Sequence, residues 1–240
     1  MSNGLFPHLS IPLGVVLLIG LPAPRYAPWQ APPAQTPGAS AGLNTKPYTL
    51  DALVFEEPKL PDLAGQARAL FTENEGKALL LVFWSRKDPV SRYYLKALTE
   101  LQRTRAEKLT VVLVNSNYNE LVSGGDPLAK MRETIAADKV TLPVLLDHGN
   151  KLADDFRATA NAQVFLIDAN RFLRYHGGID DDPDGERSKK KLPRNAWLEV
   201  ALDQVLAGER PKENWTRPAG LPIKRAPKNF FGPAGGAKKQ

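Results

Sequence analysis

No cysteine occurs among the 240 residues. That absence removes disulfides, thiolate metal sites and thiol catalysis together, although it does not identify a compartment. Histidine is nearly as scarce: His8, His148 and His176 are far apart and show no ligand spacing, so no metal ion is expected. No phosphate loop or dinucleotide fingerprint is present, and Ser85 and Ser91 lack the flanking glycines of a nucleophile elbow. No cofactor and no nucleic-acid partner is therefore expected. The formal net charge of +6 is modest and speaks to solubility or an anionic neighbour, not to fold.

The apolar run IPLGVVLLIGL, residues 11–21, opens at Ile11 and closes at Leu21. It has the length of a signal-peptide core and is short for a bilayer span. Small residues follow at Ala23 and Ala27, but no Lys or Arg precedes it. Export with cleavage, a retained membrane anchor and an apolar arm all stay open. The first two imply a cell-envelope location on the periplasmic side. Residues 22–47 are rich in Pro, Ala, Gly and Gln and read as a linker, since they cannot bury enough surface to offset their ordering entropy. A folded domain is expected over residues 48–208. Residues 209–240 return to Pro, Gly and Lys and read as a basic, solubilising tail that could touch anionic lipid or a partner.

The domain is organised around residues 79–94, LLLVFWSRKDPVSRYY. Leu79 through Trp84 form an apolar run too short for a helix and ended by polar residues, as in a strand buried on both faces. Pro89 suits a first helical position and Asp88 suits the N-cap before it. Val90, Tyr93, Tyr94, Ala97, Leu98 and Leu101 then recur at helical spacing. Further strands are expected at 109–115, 142–147, 163–168 and 171–175, with helices at 89–107, 127–137, 151–157 and 194–207. Residues 60–70 could be a short helix or a hairpin. Two buried strands joined by a helix imply a parallel pair with a right-handed crossover.

FWSRKDPVSRYY resembles the redoxin branch of the thioredoxin-like superfamily, which includes the thioredoxin-like reductases and the peroxiredoxins. The phrases LPVLLDHGNKLADDF, VFLIDANRFLRYHGGIDD and WLEVALDQVLAGE follow in the same order and spacing. The resemblance spans residues 60–225. It implies an α/β thioredoxin-like fold: a central mixed sheet flanked by helices, here with extended Pro-rich N- and C-terminal arms.

The resemblance also implies where chemistry should sit. Asp88 occupies the nucleophilic cysteine's position and Ser91 that of the second cysteine. Ala162 replaces the cis-proline that faces the site, and Leu221 stands where related chains often carry a further cysteine. A cis bond before alanine costs about 2.5–4 kcal/mol, so a trans, reshaped loop is expected there. With all of these landmarks degenerate, the reading is a redox-inactive binding or structural module whose exposed helix-turn face binds a protein partner. The alternatives are an envelope-anchored accessory subunit, associated with the membrane through residues 11–21, and a thiol-independent oxidoreductase.

Residues 180–185, DDDPDG, imitate the start of a calcium loop, but Lys191 stands where the bidentate glutamate belongs. An acidic surface turn is the expectation.

Overall fold

The computed structural model describes residues 46–122 and 126–227. The expectations for the apolar run and linker at residues 1–45 lie outside the described residues. Among the described residues, no helix is long and apolar enough to cross a membrane.

A two-stranded hairpin, β1 (Lys59–Pro61) and β2 (Ala67–Ala69), leads into the domain. The stretch at 60–70 is thus a hairpin and not a helix. Asp62 accepts from the backbone N–H groups of Ala64 and Gln66 and so shapes the turn. There follow β3 (Ala78–Phe83), α1 (Pro89–Arg105), β4 (Leu109–Asn115), α2 (Tyr118–Leu121), α3 (Pro127–Ala137), β5 (Val144–Leu146) and α4 (Lys151–Asp155). The chain continues through β6 (Val164–Ile167), β7 (Leu173–Gly177), α5 (Glu186–Lys189) and α6 (Trp197–Leu206). The main sheet runs β5-β4-β3-β6-β7. β3 pairs parallel with β4 and antiparallel with β6, so it is the central strand of a mixed sheet.

Every residue of β3 is buried. Its side chains alternate between faces, as strand geometry requires. Leu80, Val82 and Trp84 join Tyr94, Leu95 and Leu98 of α1 and Leu198, Ala201 and Leu202 of α6. Leu79, Leu81 and Phe83 join Leu152 and Ala153 of α4, Phe156 just beyond it, and Tyr48 and Val54. This two-sided burial is why the run reads as unbroken apolar sequence and not as an alternating pattern.

The β6–β7 hairpin is set by Asp168, whose Oδ1 accepts from the Asn170 and Phe172 N–H groups. Arg174 on β7 then pairs with both Asp168 and Asp51. The observed elements keep the expected order, with ends shifted by a few residues. The last helix begins at Trp197, because Arg194 and Asn195 are engaged by Asp180 and Asp181.

The aspartates at 180–182 are not a surface turn. Asp180 and Asp182 are buried. Asp180 accepts from the Tyr94 hydroxyl, the Arg194 guanidinium and the Asp182 N–H. Asp182 accepts from the N–H groups of Arg187 and Ser188 and from the Ser188 hydroxyl. Among the described residues, no cluster of carboxylates or histidines is arranged to hold a metal ion.

Two predictions follow from the sheet. Leu81 is fully buried on the central strand; Leu81→Ala should lower unfolding free energy by about 2–5 kcal/mol in urea titration. His176 on β7 stacks on Phe165 with centroids 5.5 Å apart and an interplanar angle of 15°. Its Nδ1 is buried without a hydrogen-bond partner, and burial lowers its pKa. The unfolded chain binds this proton near pH 6.5 while the folded chain resists it, so stability is full above about pH 6.5 and falls as pH drops below it. Burial pushes His148 in the same direction. Thermal melts between pH 7 and pH 5 should show the fall, and His176→Gln should make it shallower.

Candidate functional site

The β3–α1 turn ends at Asp88, which has extended backbone and caps α1. Its Oδ2 accepts from the Ser91 N–H at 2.9 Å and from the Ser91 hydroxyl at 2.7 Å. Its Oδ1 accepts from the Leu221 N–H at 3.2 Å. Asp88 and Ser91 are both buried. The carboxylate balances the positive end of α1 and ties the C-terminal segment to the turn.

A second buried carboxylate holds the turn from beneath. Glu120 of α2 accepts from the Ser85 hydroxyl (2.6 Å), the Lys87 N–H (3.2 Å), the Arg86 N–H (3.3 Å) and the Asn115 amide (2.9 Å). These donors satisfy a charge that burial would otherwise make costly. Arg86 and Lys87 contribute backbone groups here.

The loop before β6 completes the site. Ala162 follows a trans peptide bond and has φ of 56°, a left-handed conformation that alanine seldom adopts. Its N–H reaches the Phe83 carbonyl at 2.7 Å. Just before it, the Asn161 N–H and side-chain amide both donate to the Leu221 carbonyl, at 2.8 and 2.9 Å. Asn161 also exchanges amide hydrogen bonds with Asn117.

Residues 214–226, expected to leave the domain as a basic tail, lie along it instead. Thr216 docks on β7: its hydroxyl accepts from the Gly178 N–H at 3.0 Å and lies 2.6 Å from the Tyr175 hydroxyl. Tyr175 spends its own proton on the Gly178 carbonyl. Burial pushes the Tyr175 phenol up to about 12, partly offset by the Thr216 hydrogen bond. Gly220 then passes over Asp88. A Cβ at this position would collide with the Asn161 carbonyl and lie 2.9 Å from Asp88 Oδ2.

Asp88, Ser91, Ala162 and Leu221 therefore meet around one turn. Asp88 and Ser91 are bonded to each other and covered by the chain's own C-terminal segment, so the carboxylate is not presented on an open helix-turn face. Among the described residues, no histidine hydrogen-bonds to Asp88 or Ser91. The site's polar groups bind main chain and one another. Sequence reasoning did not single out Glu120, Asn117, Asn150 or Asn161. Asn161 lies beside Ala162 in TANAQVF, and Glu120 falls in a stretch that reads as a polar loop; neither carries a local signal of burial.

The strand order, the helix capped at the β3–α1 turn and the loop facing that turn define a thioredoxin-like α/β protein. Residues 54–176 match the AhpC/TSA family, and the chain belongs to that family. Two solved structures share the fold. A hypothetical protein of Sinorhizobium meliloti is 27% identical with a TM-score of 0.64, over 75% of this chain and 96% of that one. An uncharacterised conserved protein of Geobacillus kaustophilus is 20% identical with a TM-score of 0.63, over 75% and 95%. No curated protein matches the sequence.

Removing the Asp88 carboxylate should unsettle both the helix end and the C-terminal segment. Asp88→Ala should cost about 1–3 kcal/mol in denaturant unfolding, because it deletes a cap and orphans buried N–H donors. Asp88→Asn should cost less, since an amide oxygen still caps α1 and only the charge–dipole attraction is lost.

Proposed function

We propose that this AhpC/TSA-family chain works without redox chemistry, as a binding or structural module with a protein partner. One observation carries the reading: Asp88, at the position the resemblance gives to the nucleophile, has a buried carboxylate committed to Ser91 and Leu221 of its own chain. Thiol exchange and peroxide reduction by thiols need a thiolate, and the sequence supplies none. A thiol-independent oxidoreductase would need a cofactor, and the sequence carries no motif for one.

A second reading, an envelope-anchored accessory subunit, draws on the apolar run at residues 11–21. It is compatible with the first, since the run would place the same module at the periplasmic side of a membrane. Intact-mass measurement on native material would show whether the run is retained.

The purified protein should consume peroxide and reduce insulin no faster than a buffer blank; turnover without added cofactor would sink the reading. Asp88→Cys should also stay weak in both assays, because Ser91 cannot resolve a mixed disulfide. The introduced thiol, at the N-terminus of α1, should alkylate with an apparent pKa below about 8.5. Its alkylation rate should be slow at every pH, because Gly220 and Leu221 cover the position.

A further inference from the structure

We propose that the surface running from Asp88 across Asn161 and Asn117 to Asn150 is a peptide-recognition groove, occupied in this chain by its own residues 215–227. A partner protein bearing an extended glycine–apolar–proline–isoleucine–basic segment would compete for it. The proposal rests on the binding-module reading and names the class of partner.

The grip on the segment is mostly on its main chain. The Leu221 N–H binds Asp88 and the Leu221 carbonyl accepts two bonds from Asn161. The Ile223 N–H reaches the Thr159 carbonyl at 3.0 Å, in an antiparallel bridge between Pro222 and Ala160. The Lys224 N–H binds Asn117 Oδ1 at 3.1 Å, and the Lys224 carbonyl accepts from the Tyr118 N–H at 2.8 Å. The Ala226 N–H binds Asn150 Oδ1 at 2.6 Å. Apart from the single bridge, the domain's side chains bond the segment's backbone, and as in backbone-mediated peptide recognition a few side-chain positions are left to supply selectivity.

The receptor side is built for this. Asp88, Asn117, Asn150 and Asn161 are all buried, and each turns a polar atom to the segment's backbone. The segment contributes the buried Thr216 hydroxyl, bonded to Tyr175 and Gly178, and few other buried side chains. Leu221, Lys224 and Arg225 are exposed, and Ile223 is the buried anchor. Selectivity falls on three positions. Gly220 is demanded by the close approach to Asn161 and Asp88. Ile223 enters the core beside β3. Arg225 pairs with Asp154 at 2.6 Å and donates to the Ala158 carbonyl. An ordinary surface strap would be held by packed side chains. Here many of the fixed groups belong to the domain, so another segment with the same backbone geometry and the same three positions can satisfy them.

The test uses the full chain. Gly220→Val should lift the segment while leaving the domain's groups in place. A fluorescent peptide of residues 215–227 should bind the folded variant at least about tenfold more tightly than the wild type by polarisation. The same peptide carrying Gly220→Val, or Ile223→Ala, should bind weakly. Equal binding to variant and wild type, or no binding to a variant whose circular dichroism and melt show it folded, overturns the proposal. Should Gly220→Val not fold, a protease site inserted between Glu213 and Asn214 lets the wild-type fold be cut after assembly. The severed segment should stay bound and be displaced by excess peptide; loss without rebinding, or no displacement, overturns the proposal. The peroxide and insulin assays on the same samples read the redox-inactive reading separately.

Discussion

The carboxylate of Asp88 is the group on which the rest of the site depends. It is the meeting point of a helix end and a distant segment of chain. Ser91 belongs to the first turn of α1, and Leu221 comes from beyond the last helix. A neutral apolar residue here would leave the Ser91 and Leu221 N–H groups buried and unpaired. A larger one would meet Gly220. The position suits a short acceptor, and an aspartate meets that demand.

Glu120 and Asp88 divide the work at the turn. Glu120 gathers the backbone N–H groups of Arg86 and Lys87 and the hydroxyl of Ser85, which fixes the loop's path. Asp88 then closes the helix. The polar core extends from this pair through Asn115 and Asn117 to Asn161, each amide bonded to the next or to backbone. Such connected networks are worthwhile only when every member is satisfied. The C-terminal segment supplies the final donors and acceptor.

The central strand, the capped helix α1 and the β6–β7 hairpin were legible because their determinants are local. Leu79 to Phe83 are buried on both faces, and Asp88-Pro89 marks a helix start. Ala169-Asn170 between two apolar runs marks a hairpin. The meeting of Asp88, Ala162 and Leu221 came from resemblance, since nothing local joins residues so far apart. Apart from Leu221, the docking of residues 214–226 was not legible. Their Pro, Gly and Lys content matches a solvated tail, and main-chain bonding leaves almost no side-chain signature. Ile223 was the lone hydrophobic anchor in that stretch to enter the core. The aspartates at 180–182 misled for a related reason: burial of a charge depends on partners such as Tyr94 and Arg194, which the run itself does not contain.

The bond between Asp88 and Leu221 spans 133 residues. At synthesis rates of about 5–20 residues per second, the Leu221 N–H follows Asp88 out of the ribosome's peptidyl centre by roughly 7–27 seconds. The sheet is complete only once β7 ends at Gly177, so for the last roughly 2–9 seconds of that interval the row of Asp88, Asn117, Asn150 and Asn161 still lacks its covering chain. A nascent chain thus passes through a stage in which its most polar buried groups face solvent or any extended peptide nearby. A chaperone or partner present during translation would meet this surface before the segment that covers it exists.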